Sequence, residues 1–236
     1  MTPSLPCCGF TCAGHRTIGS GRQLEARVPQ NEIGKVYDRV AGIYDVWGIL
    51  AESRARKRAI ELAGIQDGQS IMEVAVGTGL AFGEIVKRNP NGGNIGIDIS
   101  EGMLEKARQR LQKMSLAKYS LSMGTAFGLK AEDESFDLLM SNYLFDLISY
   151  ADMDKILAEF SRVLKKDGRL ILVNMTVGER PESRLYDFIY SLSPKIMGGC
   201  RGVRLSQKLK NHGFTIEVRE YYQQLLFPSE VIRAHK

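Results

Sequence analysis

The sequence predicts an α/β fold in which helices cover both faces of a mostly parallel sheet of seven strands. Two observations lead to this prediction: after residue 64 short apolar runs alternate with amphipathic segments, and a glycine-rich junction joins the first apolar run to a helix. The chain has 236 residues, of which 44% are hydrophobic and 25% are charged. These values suit one globular domain with a full core.

Seven segments have the short, apolar composition that is typical of strands. Helical segments separate the first five, and this alternation predicts parallel strands that are buried on both faces. In chain order the predicted strands are Ser70–Val76, Asn94–Ile99, Tyr119–Met123, Phe136–Asn142, Arg169–Met175, Thr215–Tyr222 and Glu230–Ala234.

The helices are predicted from apolar periodicity and from their caps. The clearest covers Glu101–Met114, with Ser100 as its N-cap. Another covers Asp152–Leu164, and the lysines and glycine of residues 165–168 suit a helix C-terminus. Two leading helices are predicted over residues 31–63, the second ending at Gly64.

Residues 1–30 are predicted to lie outside the fold, because they show no helical or strand period and no acidic residue before Glu25. A disordered leader, a transit segment and an upstream start codon all fit this composition. Cys7, Cys8 and Cys12 fall here, but their spacing is not that of a zinc finger, so no metal site is predicted.

The charge balance favours no nucleic-acid partner. The formal net charge is +5, and no basic run is interleaved with aromatic residues. No apolar run reaches the roughly 18 residues that span a bilayer. The sequence therefore predicts a cytoplasmic protein whose membrane contact, if any, is peripheral, while organelle targeting by the leader and the choice between monomer and homodimer stay open.

A cofactor site is indicated where two strands end. The first strand runs into EVAVGTG, residues 73–79, whose glycines allow a tight turn and a close ligand approach, although a plain turn would also fit. Asp98 follows Gly79 by 19 residues, at the carboxyl edge of the next strand. An acid in this place can accept hydrogen bonds from both ribose hydroxyls.

Four segments in order extend this pattern: EVAVGTG, GIDISEGMLEKARQRL, SFDLLMSNYLFDLI and FSRVLKKDGRLILVN. The set resembles the class I S-adenosylmethionine-dependent methyltransferases over roughly residues 35–173. The resemblance implies a Rossmann-like fold and S-adenosylmethionine as cofactor. YDRVAGIYDVW, residues 37–47, is similar to the ubiquinone and menaquinone C-methyltransferases and to bacterial phospholipid N-methyltransferases.

The resemblance also implies which residues bind the cofactor. Ala75 departs from the family, because many members have a glycine there, and Thr125 stands where many have an acid that meets the adenine amino group. A threonine hydroxyl can still accept one hydrogen bond. The expected cofactor-binding residues are Glu73, Ala75, Gly77, Gly79, Asp98, Ile99, Met103, Thr125, Ala126 and Asn142.

Three residues are expected beside the transferred methyl group. Asn142 and Tyr143 end the fourth strand, although Tyr143 could instead extend the core. Asp146 could orient the acceptor or take its proton, or it could cap the next helix. His212 is a second candidate base, but its place before Gly213 is more typical of a helix end.

The acceptor is expected to be a small molecule or a lipid, with quinones and phospholipids favoured. A substrate-covering insertion is predicted over residues 177–213, where an apolar stretch precedes the basic residues Arg201, Arg204, Lys208 and Lys210. An ordinary core helix would show the same pattern. A nucleotide-dependent oxidoreductase, from the loose fingerprint of residues 77–83, and a non-catalytic cofactor-fold binding protein are the alternative functions.

Overall fold

The computed structural model describes residues 53–236 apart from 113, 115–116, 177–200 and 225–226. The helices are α1 (residues 53–63), α2 (Leu80–Arg88), α3 (Glu101–Leu111), α4 (Tyr150–Val163) and α5 (Ser206–Asn211), with a 3-10 turn at Phe145–Leu147. The strands are β1 (Ser70–Val74), β2 (Gly93–Asp98), β3 (Tyr119–Met123), β4 (Phe136–Asn142), β5 (Leu164–Met175), β6 (Thr215–Gln224) and β7 (Phe227–His235).

The seven strands form one sheet in the order β3-β2-β1-β4-β5-β7-β6. Strands β1 to β5 pair in parallel, whereas β7 is antiparallel to both of its neighbours. The predicted mostly parallel seven-stranded sheet is therefore confirmed. The strand order reverses between β1 and β4, and in an open α/β sheet such a switch point creates a crevice at the carboxyl ends of the strands.

Two apolar layers sandwich the sheet, because successive strand residues point to opposite faces. Leu139 and Leu170 pack on the face covered by α4 and α5, whereas Leu138 and Ile171 pack on the face covered by α1 and α2. Each of these four side chains is fully buried. Burying one such side chain stabilises the fold by about 1.5–3 kcal/mol, so the two layers fix the sheet that carries the site.

Helix caps explain where two helices begin and end. The Ser100 hydroxyl accepts a hydrogen bond from Met103 N at 3.1 Å, which confirms the predicted N-cap of α3. That helix ends at Leu111, three residues earlier than predicted. Gly64 ends α1 with a φ of 54°, a left-handed conformation that glycine adopts without steric cost.

The predicted end of the helix before β5 is wrong. Helix α4 stops at Val163, and Leu164 already pairs with Phe136 in the sheet. Gly168 does not cap a helix. A Cβ there would lie 2.7 Å from the Lys165 carbonyl oxygen, so the backbone three residues earlier leaves no room for a side chain. The register shift in this pairing lets the strand begin directly after the helix.

Several predictions concern residues outside the described ranges. They include the leader over residues 1–30, the leading helix before residue 53 and most of the insertion, residues 177–200. Among the described residues, no helix combines the length and apolar character required to cross a membrane.

Candidate active site

The glycine-rich junction forms a tight loop between β1 and α2. Ala75, Gly77 and Gly79 all have positive φ, at 63°, 54° and 79°. The loop is closed by a hydrogen bond from Gly79 N to Val76 O at 3.0 Å, and α2 begins at the next residue. A left-handed conformation costs a residue with a side chain about 1–2 kcal/mol, so Ala75 is strained where the glycines are not.

Asp98 joins this loop to the end of β2. Its Oδ2 accepts a hydrogen bond from Gly77 N at 2.8 Å, and its Oδ1 accepts one from Ser100 N at 2.9 Å. A carboxylate can accept about four hydrogen bonds, so these backbone contacts are compatible with additional bonds to ligand hydroxyls. Asp98 therefore both orders the loop and lines the crevice.

Glu73 and Asn142 meet across β1 and β4. Asn142 Nδ2 donates to Glu73 Oε1 at 2.8 Å. Glu73 Oε2 and Asn142 Oδ1 are buried with no hydrogen-bond partner among the described residues. An unsatisfied buried acceptor costs about 1–3 kcal/mol, which a ligand with hydrogen-bond donors would recover. This pair is therefore suited to a donor-rich, cationic ligand group.

Burial also changes the acidity of Glu73. Desolvation raises the pKa of its carboxyl group from 4.5 to about 8; the Asp98 carboxylate acts in the same direction, while the hydrogen bond from Asn142 and the charge on Arg56 oppose it. The group is thus mainly protonated at neutral pH, and a bound cation would favour its ionised form.

An open cleft lies over these strand ends, with about 690 Å³ of space that includes open solvent. Tyr143 also contributes to its lining. The structure brings together seven of the predicted cofactor-binding residues along this cleft: Ala75, Gly77, Asp98, Ile99, Met103, Ala126 and Asn142.

Three predicted cofactor-binding residues lie outside the lining of the cleft. Glu73 lies behind Asn142. A Cβ on Gly79 would come within 3.0 Å of Ala107 Cβ, so this glycine allows α2 and α3 to approach. Thr125 is exposed, and its hydroxyl accepts a hydrogen bond from Phe127 N at 3.3 Å.

Residues 143–148, here called the β4 loop, form an apolar wall that sequence reasoning alone misses. Leu144, Leu147 and Ile148 line the cleft, as does Val74 at the end of β1. A signal for this wall is present, because an apolar run directly follows a strand that ends at the switch point. The same apolar run is equally typical of core packing, and only the strand order shows that part of it lines a cleft.

Tyr143 is held at the end of β4 by a contact with β7. It has a φ of 54°, is 9% exposed, and its hydroxyl lies 3.1 Å from Ser229 Oγ on β7. The ring packs with the core layer beneath α1 and α2. Tyr143 thus contributes to the cleft wall and is held by a residue 86 positions away.

Asp146 is fully buried and is not part of the cleft lining. Its Oδ1 accepts a hydrogen bond from Met175 N at 3.0 Å. The alternative that Asp146 caps the next helix is wrong, because the Ser149 hydroxyl accepts the bond from Asp152 N. His212 caps the C-terminus of α5, as expected for a helix-end residue, with Nε2 3.1 Å from Asp154 Oδ1.

Comparison with known proteins agrees with this geometry. Residues 65–213 match a family model described as a methyltransferase domain. The chain is 28% identical over 185 residues to a demethylmenaquinone methyltransferase of Lactobacillus johnsonii, covering 74% of this chain and 75% of the relative. It is 32% identical over 181 residues to a ubiquinone/menaquinone biosynthesis C-methyltransferase of Hydrogenovibrio crunogenus, covering 73% and 70%.

A solved structure shares the fold. Magnesium protoporphyrin IX methyltransferase from Synechocystis PCC 6803, with bound S-adenosylhomocysteine, superposes with a TM-score of 0.62 at 15% identity, covering 92% of this chain and 90% of that one. The fold alone does not define an activity. The family match and the sequence relatives do, and they leave no support for an oxidoreductase. The chain belongs to the class I methyltransferase family, and its cofactor is S-adenosylmethionine.

Proposed function

We propose that this enzyme transfers the methyl group of S-adenosylmethionine to a quinone-type acceptor. The observation that carries the proposal is that one cleft joins the Asp98 carboxylate and the glycine-rich loop to the apolar β4 loop. The relatives near 30% identity are named for demethylmenaquinone and for ubiquinone/menaquinone biosynthesis. An apolar ring system would suit the wall formed by Leu144, Leu147 and Ile148.

In this proposal the polar side of the cleft holds the cofactor, which supplies an activated methyl group on a sulfonium. Asp98 accepts hydrogen bonds from the ribose hydroxyls, in addition to those from Gly77 N and Ser100 N. Ile99 is 43% exposed at the cleft and, with Met103, offers an apolar surface for the adenine ring. Thr125 and Ala126, on the loop after β3, are assigned to the adenine edge.

Glu73 and Asn142 are assigned to the amino group of the methionine portion. Asn142 lines the cleft, and the two unpartnered oxygens of this pair would accept its N–H groups. Placing an ammonium group there favours the Glu73 carboxylate, so the Glu73 proton leaves to solvent on binding. Tyr143, the first residue of the β4 loop, lines the cleft next to this pair.

Methylation of a ring carbon forms a carbon–carbon bond, breaks the carbon–sulfur bond and releases the ring proton. The protein's main task is to align the acceptor carbon with the methyl group and to exclude water. We propose that Asp146 either receives this proton, which requires the β4 loop to move because the carboxylate is fully buried outside the cleft lining, or orients the acceptor indirectly by holding that loop through its hydrogen bond from Met175 N.

The test is an incubation with methyl-labelled cofactor and three separate acceptors: reduced demethylmenaquinone, phosphatidylethanolamine vesicles and an aqueous metabolite extract. We expect label in the quinone fraction and a mass increase of one methyl group. The Asp98→Ala variant serves as the control with weakened cofactor binding. Label confined to the phospholipid or to water-soluble products would contradict a quinone acceptor.

A further inference from the structure

Arg201 does not lie where its sequence context predicts. It opens the basic stretch of the predicted substrate-covering insertion, yet it is the largest side chain that the described part of the chain buries completely. Lys208 is also engaged, in an ion pair with Asp154 at 2.6 Å. Burying a guanidinium is costly unless its N–H groups are hydrogen-bonded, so this position demands an explanation.

The Arg201 guanidinium binds the backbone of the β4 loop. Nη2 donates to Ile148 O at 2.6 Å, and Nη1 donates to Asp146 O at 3.1 Å and to Phe145 O at 3.4 Å. The guanidinium also stacks on the Tyr150 ring, 4.8 Å from its centroid. The two Nη atoms of Arg201 thus bind three carbonyl groups of the β4 loop.

A second set of contacts fastens the opposite side of the same loop. Asp146 Oδ1 accepts a hydrogen bond from Met175 N at 3.0 Å, which ties the loop to the end of β5. Val203 N donates to Met175 O at 2.9 Å, so the segment that carries Arg201 is attached to that same strand end. The β4 loop is therefore held between β5 and Arg201.

We propose that Arg201 is a positioning residue for methyl transfer, which fixes the apolar wall of the cleft without touching either substrate. The inference rests on the proposed function, because Leu147 and Ile148 are the wall against which the acceptor is placed. The glycine-rich loop and Asp98 are held by β1 and β2 instead. Loss of the Arg201 contacts should therefore impair acceptor use and leave cofactor binding intact.

The test compares Arg201→Met, which keeps the side-chain length but removes the donors, with Arg201→Lys, which keeps one charged donor. Arg88→Met is the control, because Arg88 is exposed at the end of α2 and does not line the cleft. For each variant we would measure the Kd for S-adenosylhomocysteine, the kcat and KM for reduced demethylmenaquinone, and amide hydrogen exchange at residues 144–148.

For Arg201→Met we expect kcat/KM to fall by about 10- to 100-fold, since misplacement by about 1 Å can cost that much, with Kd within about twofold of wild type. The amides of Leu147 and Ile148, which bond to Leu144 O and Phe145 O, should exchange faster. The kcat/KM of Arg201→Lys should lie between the values for wild type and for Arg201→Met, because one ammonium group cannot replace the two Nη donors of a guanidinium. Arg88→Met should match wild type.

The proposal is overturned if Arg201→Met shows the amide exchange rates and the kcat/KM of wild type. It is also overturned if the affinity for S-adenosylhomocysteine falls in parallel with kcat/KM. Should Arg201→Met fail to fold, Arg201→Lys decides by the same three readouts. The exchange experiment needs only S-adenosylhomocysteine. If wild-type enzyme methylates no quinone, the proposed function fails, while faster exchange in the variant still identifies Arg201 as the residue that holds the loop.

Discussion

The two sides of the cleft are built by different means. On the β1–β2 side, Gly77 and Asp98 are 21 residues apart and meet through a hydrogen bond from the Gly77 backbone N to the Asp98 carboxylate at 2.8 Å. On the other side, the β4 loop depends on Arg201, which is 53 to 56 residues away. Local motifs can specify the first side, whereas the second needs the complete fold. Mutations that act on one side only can test this difference.

The largest effect is expected on the β4 loop side. If Asp146 receives the acceptor proton, Asp146→Asn should lower kcat by about 10²- to 10⁴-fold, the usual contribution of a general base. The asparagine side chain retains an oxygen that can accept the hydrogen bond from Met175 N, so the thermal stability and the Kd for S-adenosylhomocysteine should change little. A kcat near wild type would show that this carboxylate has no catalytic role and only holds the loop.

On the β1–β2 side, Asp98→Ala should weaken S-adenosylmethionine binding by about 1.5–3 kcal/mol, the range for hydrogen bonds to a charged group. Isothermal titration measures this loss. Thr125→Val is the comparison variant for the adenine edge: the exposed Thr125 hydroxyl already accepts a hydrogen bond from Phe127 N, so a smaller loss of affinity is expected. Equal affinities for Asp98→Ala and wild type would rule out the ribose assignment.

Glu73 should couple both stability and cofactor binding to pH. Its folded-state pKa, about 8, lies above the ordinary 4.5, so the folded protein keeps a proton that the unfolded chain loses. The stability contribution is complete below pH 4.5 and is lost as the pH rises towards 8, by up to about 1.4 kcal/mol per unit.

Cofactor affinity should change in the opposite direction, rising by up to about tenfold per pH unit until pH 8, because the bound ammonium prefers the carboxylate. Glu73→Gln should remove both dependences. Denaturant titrations and binding isotherms between pH 6 and 9 measure them. A wild-type profile that remains in Glu73→Gln would assign the pH effect to another group.

The smallest effect concerns loop strain. Ala75→Gly should stabilise the fold by about 0.5–1 kcal/mol, because glycine adopts a φ of 63° without steric cost. Gly77→Ala is the mirror experiment: its φ is 54° and an added Cβ would meet nothing within 4 Å, so strain alone should destabilise it by about 1 kcal/mol. Thermal unfolding measures both, and shifts of the same sign would refute the strain argument.

The same contrast explains what the sequence could predict. Strands β3 and β4 begin and end where predicted, because apolar periodicity is a local signal. Asp98 lines the cleft as its offset from the glycine-rich loop predicts, and Met103 lines it as the family resemblance implies. Their roles in cofactor binding stay predictions.

The remaining errors involve contacts that sequence spacing does not encode. Lys165–Gly168 resembles a helix end, but pairing between Leu164 and Phe136 begins the strand there. Arg201 resembles a surface cation, but carbonyl groups from the β4 loop solvate it in the interior. Leu144 and Leu147 resemble core residues, but they are partly exposed because they line a crevice created by the order of the strands.

The placement of β7 has a consequence for biosynthesis. This strand lies between β5 and β6, both of which leave the ribosome before it. Until residues 227–235 emerge, β5 and β6 each present an open hydrogen-bonding edge, the kind of surface through which nascent chains associate. Ser229, the partner of the Tyr143 hydroxyl, arrives with the same segment. Tyr143, a residue of the cleft wall, therefore gains its hydroxyl partner only after the other six strands of the sheet have been synthesised.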